Sequence, residues 1–536
     1  MSARRRHLLL AVAALALAVV PAAALLALPD RDKAVARAER IHATPPAAAS
    51  VSLAGATYGT PIPRSFFGVS TEYFSLPLYE RNQSVFQRVL SMLHVQGDGP
   101  MILRIGGDSA DRSFWSPTLA RGADWEFALT RGWVSRTGAV VRRLGLRVIL
   151  DLNLVTGSPL RAVRWARVAE AGLPRGSIVG FEIGNEPDLY THWYWEAITA
   201  RTRSYAQLLP SKLSAPMYTR DFLSYARMLG RTAPQVPLVG PAIANPTLDV
   251  SWIANLVEHA RGALGAVSAH RYPLSACVPR WSLAYPTVAR VLSERVSAGV
   301  AKSAVPGIHL AHAAGVPFRL TELNSVTCGG RRGVSDTFAT ALWAPDALFE
   351  LLRAGADGAN VHIRENTING PFALSAGGLN ARPLLYGLLL FTRTLGPSSR
   401  LVPLRVHAAP SLHLKAWGVS VLGHTLHVLL IDKGNRAANV ELNLPATGPA
   451  TVQRLIAPAA TSRSGVTLAG QWLGRNGRWH GQRTAQRILR SRTGYHVTVA
   501  PFSAALVSVN LPGVHRARTK RAENVLRRSS RTRKHR

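Results

Sequence analysis

The chain has 536 residues, 47% of them hydrophobic and 17% charged, which excludes a wholly disordered protein and leaves room for two folded domains. Its 64 Lys+Arg against 29 Asp+Glu give a formal net charge of +35. A polyanion (acidic polysaccharide, nucleic acid or anionic membrane) is therefore an expected neighbour, unless the arginines reflect only a chain-wide compositional bias. Two cysteines, with no CxxC and no Cys/His cluster, argue against a zinc site, and no metal or cofactor is expected.

The N-terminus reads as a targeting segment. Arg4, Arg5 and Arg6 precede an apolar run from Leu8 to Leu28, broken at Pro21 and followed there by Ala22, Ala23 and Ala24. This fits a signal peptide over 1–28, and the same run left uncut is just long enough to span a bilayer. The expectation is an exported protein, secreted or held at the outer face of the membrane. Residues 29–50, rich in Ala, Pro and charge, read as a linker.

From about Phe66, short apolar runs alternate with longer amphipathic ones, the βαβα pattern of a parallel sheet. Strands are predicted over 66–73, 101–107, 147–154, 177–186, 237–243, 266–273, 317–325 and 358–365. Helices are predicted over 83–93, 125–143, 158–171, 216–232, 251–262, 284–298, 336–353 and 383–395. Eight of each predict an α/β chain with a (β/α)8 TIM barrel over 61–397. A doubly wound sheet would carry a Gly-rich phosphate loop after its first strand, whereas GGDSAD at 106–111 follows the second and lacks that spacing. Beyond about Pro397, period-two alternation broken by Gly, Pro and Asn predicts a C-terminal antiparallel β-sandwich domain over 398–512. A strand candidate at 51–59 has no helix after it and is expected to cross over and join this domain. The final segment, 513–536, holds ten Lys/Arg and a single Glu. It is expected to stay disordered for want of apolar surface, and to contact an anionic polymer or surface.

Two stretches carry chemistry. In the first, GSIVGFEIG runs into Asn185, Glu186 and Pro187. A buried strand ends there, because Pro187 cannot donate to a ladder. In the second, PFRLTELNS over 317–325 places Glu322 near the exit of another apolar strand. Either glutamate alone reads as a solvated or salt-bridged side chain. Two at the ends of the fourth and seventh strands are what a retaining glycosidase needs, one carboxyl as nucleophile and the other as acid/base. Asn185 is placed to donate to a sugar hydroxyl, or else is a turn residue before proline. Cys277 and Cys328 each follow a predicted strand, the sixth and the seventh. They fall in adjacent loops on one face, where a disulfide would pin the mouth of the site.

Ile183-Gly-Asn-Glu-Pro187 and Leu320-Thr-Glu-Leu-Asn324 resemble the acid/base and nucleophile strands of clan A retaining glycosidases. The chain from about 51 to 512 resembles glycoside hydrolase family 79, the β-glucuronidase and heparanase group, with barrel and β-domain in that family's order. The resemblance implies a β-glucuronidase-type hydrolase acting with retention, Glu186 as proton donor and Glu322 as nucleophile. It also implies a substrate carbohydrate bearing a uronic acid and no specific nucleic-acid partner. In that family the sugar carboxylate is held by backbone amides of a Gly-Gly step after the nucleophile and by a tyrosine from the last part of the barrel. Gly329, Gly330 and Tyr386 match that description here, although a plain glycine turn and a buried helical tyrosine are the ordinary alternatives.

Further expectations follow from position. Arg104 is expected near Glu322, lowering its pKa. Tyr272 is expected to hydrogen-bond the nucleophile, Glu72 and Asp108 to hold sugar hydroxyls, and Asn153 to line the floor. Glu182 reads as structural and His362 as a packed core histidine. The aromatics of His192 to Trp195 suit sugar stacking or loop packing equally. The run Gly329-Gly330-Arg331-Arg332-Gly333 is strongly basic and lies one residue further from the nucleophile than in animal heparanases, which leaves the aglycone open. Two alternatives stand beside this reading: a neutral-sugar clan A β-glycosidase, and a non-catalytic polyanion-binding surface protein.

Overall fold

Each apolar run of the barrel region pairs with its neighbour as a parallel strand, because both faces are covered and a continuous Val/Ile/Leu run can be buried on either side. The computed structural model describes residues 45–512 apart from 56–58, 119–124, 192–207, 366 and 447. The barrel strands are β1 (Phe67–Glu72), β2 (Ile102–Gly106), β3 (Arg147–Leu152), β4 (Ile178–Ile183), β5 (Leu238–Ile243), β6 (Leu264–Arg271), β7 (Phe318–Leu323) and β8 (Gly358–His362). They close in that order, with β8 pairing back onto β1. The helices that follow them are α1 (Gln83–Leu93), α2 (Arg131–Leu144), α3 (Pro159–Gly172), α4 (Ala215–Gly230), α5 (Val250–Ala260), α6 (Glu294–Ala313), α7 (Phe338–Ala354) and α8 (Pro383–Thr394). Among the described residues no helix is long and apolar enough to cross a membrane. The signal segment, the aromatics at 192–195 and the tail at 513–536 lie outside the described residues.

The sixth helix departs from expectation. Predicted over 284–298, it is α6 from Glu294 through Pro306 and Gly307 to Ala313, preceded by a short turn of helix at Val288–Leu292. Gly307 serves close packing here: a Cβ on it would meet Phe318 at 2.8 Å and Ile253 at 2.9 Å. A bare backbone lets α6 lie directly on β7 and α5.

The second domain is two sheets around one apolar cluster. One sheet has the order Leu404–Ala408, Ala47–Leu53, Ala438–Asn443, Tyr495–Val499. The other is built on Leu414–Val421, Thr425–Asp432, Ser503–Asn510 and Ala450–Ile456. Val51, Val440, Leu442 and Val497 from the first sheet pack with Val428, Leu430, Val452 and Val507 from the second. Strict alternation sets this up, buried and exposed residues taking turns along Tyr495–Val499. Two expectations are corrected. Residues 47–50 belong to a strand and not to a linker, the small alanines having masked the alternation. That strand also pairs parallel with Ala438–Asn443, so the sheet is mixed and not wholly antiparallel. The domain is fastened to the barrel at α7, where Trp417 stacks on Phe349 with ring centroids 5.5 Å apart and donates to Asp346 at 3.0 Å.

Candidate active site

Glu186 does not end a strand, as the apolar run suggests; it stands three residues beyond the last residue of β4. Gly184 turns the chain with φ of 75°, and Glu186 itself takes a left-handed φ of 53° before Pro187 opens a short 3-10 turn. A residue with a Cβ is strained there by roughly 1–3 kcal/mol. The strain is held by two backbone bonds: Glu186 N–H donates to Ala242 at 3.1 Å, and its carbonyl accepts from Leu189 at 2.9 Å. Asp111, bonded to the Tyr190 hydroxyl, and Asp188, accepting from Ala244 N–H, brace the same turn. Glu322 lies within β7, directly opposite His270 of β6 in the sheet register.

These placements bring the two carboxylates together. One carboxylate oxygen of Glu186, one of Glu322 and a ring nitrogen of His270 all lie within 4.8 Å of one another. Both glutamates line one cavity of about 340 Å³ at the C-terminal ends of the strands. Their side chains are only 14% and 11% exposed, respectively. The same three groups are spaced closely enough for a metal ion, and of them Glu322 already accepts from Tyr272 and Arg104.

The two carboxyls have opposite surroundings. Glu322 accepts from Tyr272 Oη at 2.7 Å and from Arg104 Nη1 at 2.9 Å, and His362 Nδ1 lies 3.4 Å away. Burial pushes its pKa up, but His362, His270, Arg104 and the Tyr272 hydrogen bond outweigh it and hold the carboxyl at about 2. Burial also holds both imidazoles below their ordinary value, so near neutral pH the lasting positive charge is that of Arg104. Among the described residues the Glu186 carboxyl is hydrogen-bonded to His270 Nδ1, at 3.0 Å. Burial, then the charges of Glu322 and Asp108, raise its pKa well above the ordinary carboxylate range. One carboxyl is kept ionised and its neighbour kept protonated, which is how acid/base and nucleophile roles are separated in a shared site.

Arg104 is the hub of this arrangement. It is fully buried and also donates to Glu182 at 2.7 Å, Asp151 at 2.8 Å and Asn185 at 3.0 Å. Arg104→Lys replaces a planar fork by a point charge that cannot serve all four acceptors. The expected outcome is a rise in the Glu322 pKa, so the acid limb of the kcat/KM profile moves to higher pH. A loss of about 3–5 kcal/mol of stability should accompany it. A pH–rate profile and a thermal melt check both.

The remaining expected residues divide. Glu72, Asp108, Tyr272 and Gly329 line the cavity with the glutamates. Glu72 and Asp108 are tied to Arg364, whose Nη1 lies 3.4 Å and 2.6 Å from them. Gly107, with φ of 69°, lets the chain pass this point, since a Cβ there would meet the Glu72 carboxylate at 2.6 Å. Asn185 is buried, its Oδ1 taken by Arg104.

Three expectations fail. Gly330 is not in the lining, and its N–H donates to the Thr327 carbonyl at 3.2 Å, so it is not offered to a ligand. Tyr386 lies on α8 and accepts from Leu473 N–H at 2.9 Å, packed under the second domain because its helix face is apolar. Asn153 is engaged by Ser113 and Thr156, in a loop beside a separate small pocket. His362, read as a core histidine, lines the cavity. His270, Asp151, Arg364, Thr367 and Asn369 were passed over. For His270 and Asp151 the signal was available: each sits on a barrel strand, and an ionisable residue in such an apolar run calls for a partner.

No protein-family model matches the chain. It is 23% identical over 478 residues to a β-glucuronidase of Aspergillus niger, a match covering 76% of this chain and 83% of that protein. Its fold is similar to the crystal structure of a 4-O-α-L-rhamnosyl-β-D-glucuronidase from Fusarium oxysporum, with a TM-score of 0.68, 18% identity, and coverage of 86% of this chain and 100% of that one. It is also similar to a GH51 arabinofuranosidase from Xanthomonas axonopodis pv. citri, with a TM-score of 0.63, 14% identity, and coverage of 86% and 100%. The chain is a glycosidase.

Two loops at the mouth of the glycosidase are joined by a Cys277–Cys328 disulfide, and both cysteines line the cavity. The bridge closes a separation of 51 residues. Loop-closure entropy puts the loss on replacing both by serine at up to about 4 kcal/mol. Because the freed loops carry cavity walls, KM should rise more than kcat falls. Steady-state kinetics with a melting curve on Cys277→Ser/Cys328→Ser checks both effects.

Proposed function

We propose that this glycosidase is a retaining β-glucuronidase-like hydrolase that resembles glycoside hydrolase family 79. It cleaves β-linked glucuronic acid by double displacement. A carboxylate oxygen of Glu322 attacks the anomeric carbon while Glu186 gives its proton to the departing glycosidic oxygen. The resulting glycosyl ester on Glu322 is then opened by a water that loses its proton to Glu186, and the sugar leaves with its β configuration retained. Glu72 and Asp108 hold ring hydroxyls, and Tyr272 and Arg104 keep Glu322 in place. The single observation behind this reading is the pair of carboxyls within 4.8 Å, one kept ionised and one kept protonated by their surroundings. Export through residues 1–28 and a β-sandwich fold for the second domain belong to the same reading.

The uronate rests on less. The Aspergillus relative supports it, as does Gly329, which lines the cavity beside Thr367 and Asn369 and whose N–H has no acceptor among the described residues. Tyr386 no longer supports it. One observation favours a neutral sugar: Arg364, a cation of the cavity wall, is already spent on Glu72 and Asp108. A panel of aryl β-glycosides differing only at C5 decides between them. Hydrolysis of the glucuronide with little turnover of glucoside or xyloside is the expected result; the reverse order keeps the mechanism and removes the uronate.

A further inference from the structure

The second domain has a charge pattern that the catalytic cavity does not use. Residues 400–512 contain 13 Lys/Arg against two carboxylates, Asp432 and Glu441. Asp432 is buried, and burial pushes its carboxyl up to about 7. Six of the arginines fall within one stretch: Arg475, Arg478, Arg483, Arg487, Arg490 and Arg492. All six are exposed, and among the described residues none is paired with a carboxylate.

The stretch is ordered without help from those side chains. Gln486–Ile488 pairs antiparallel with Ala450–Val452, and Thr484 N–H donates to Ala469 at 2.8 Å. The arginines are therefore not required by the local fold. Arg483 adds to the burial that holds the neighbouring Arg393 guanidinium down at about 10. Like charges collected with no acid between them cost stability, and a bound polyanion relieves that cost.

Two further features show which polyanion fits. Trp472 is 46% exposed and stacks on His480 with ring centroids 6.2 Å apart, in the hairpin that carries Arg475 and Arg478. An exposed indole in a hairpin that also carries exposed guanidinium groups suits a sugar face flanked by carboxylates or sulfates, which the planar guanidinium binds bidentately. Nucleic acid calls for several stacked aromatics and a membrane for an apolar wedge, whereas this stretch exposes only Trp472 and Leu489 as large apolar groups.

The hairpin is also joined to the segment that follows the cavity wall. Leu379 N–H donates to the Arg475 carbonyl at 2.7 Å, and a Cβ on Gly378 would meet that oxygen at 2.4 Å. The segment Phe372–Ala381 continues the chain that supplies Arg364, Thr367 and Asn369 to the cavity.

We propose that the arginine strip of residues 475–492, with Trp472, is a docking surface for an acidic polysaccharide, and that it holds a polymer whose end enters the cavity. The last part rests on the hydrolase reading; the docking does not. The test uses the full chain in three forms: unaltered, R483Q/R487Q/R490Q/R492Q, and R527Q/R528Q/R531Q/R533Q in the tail. Affinities are measured for polygalacturonate, heparin, single-stranded DNA and phosphatidylglycerol vesicles at physiological salt.

The strip variant should bind both polysaccharides at least about tenfold more weakly, since polyanion affinity falls steeply with each cation removed. Its kcat/KM on an aryl substrate should be unchanged, and the tail variant should bind like the unaltered chain. Undiminished polysaccharide binding by the strip variant, an equal loss in the tail variant, or no binding by the unaltered chain overturns the proposal. A loss confined to DNA or vesicles overturns the choice of partner. Failure of the unaltered chain to hydrolyse any aryl glycoside instead removes the hydrolase reading and leaves the binding results standing.

Discussion

Glu322→Gln is expected to lower kcat on an aryl β-glucuronide by roughly 10⁴-fold or more, the scale seen when one member of a catalytic unit is removed. The substitution keeps the volume of the side chain and an oxygen for the Tyr272 hydroxyl, but it deletes the charge proposed to attack the anomeric carbon. Loss of folding is not expected to account for the effect. Arg104 retains Asp151 and Glu182 at 2.8 Å and 2.7 Å, so the buried cation is not stranded. An unchanged melting curve together with lost turnover meets the expectation. Near-normal turnover sinks the assignment of Glu322.

Glu186→Gln should behave differently, and the difference is the informative part. A glutamine cannot protonate the departing oxygen, so the first step suffers by about 10²–10⁴-fold where the leaving group is a sugar hydroxyl. Where the leaving group is an acidic phenol it departs without help, and that step is nearly spared. The second step still lacks its base, so the glycosyl enzyme should accumulate and show as a burst of released phenol. Equal losses on all leaving groups, with no burst, would contradict an acid/base role. The rate should also depend on pH with two limits: activity appears as Glu322 ionises, its pKa lying at about 2, and declines as Glu186 loses its proton through its raised pKa.

The barrel was legible because its signals are collective. Eight apolar runs spaced by amphipathic helices admit few topologies, and β1 to β8 fall where those runs lie. Boundaries were less legible where the chain changes purpose. The run ending at Glu186 reads as continuous strand, yet its carboxylate is carried by the left-handed turn after Ile183. The sixth helix, predicted to end at 298, runs on through Pro306 to Ala313, because helix–strand packing outweighs one lost backbone bond.

Within the site, residues beside a recognisable strand end were placed well, as Tyr272 and Arg104 show by their contacts with Glu322. Residues chosen by type and rough position were not. Tyr386 is a helical residue packed under the second domain, and Gly330 spends its amide on its own turn. Arg364 was missed because its importance lies in Glu72 and Asp108, which it faces across the barrel, and no spacing along the chain records that.

The most direct test of the account is proton NMR of the sugar released during the first moments of turnover, on whichever aryl β-glycoside the enzyme cleaves. Carboxylate oxygens of Glu186 and Glu322 within 4.8 Å of one another match the short separation of retaining enzymes and not the wider gap that admits a water. The account predicts the β-anomer first, with the α-anomer appearing only as the free sugar equilibrates in solution. An α-anomer formed first would mean single displacement by water, and would contradict Glu322 as the nucleophile.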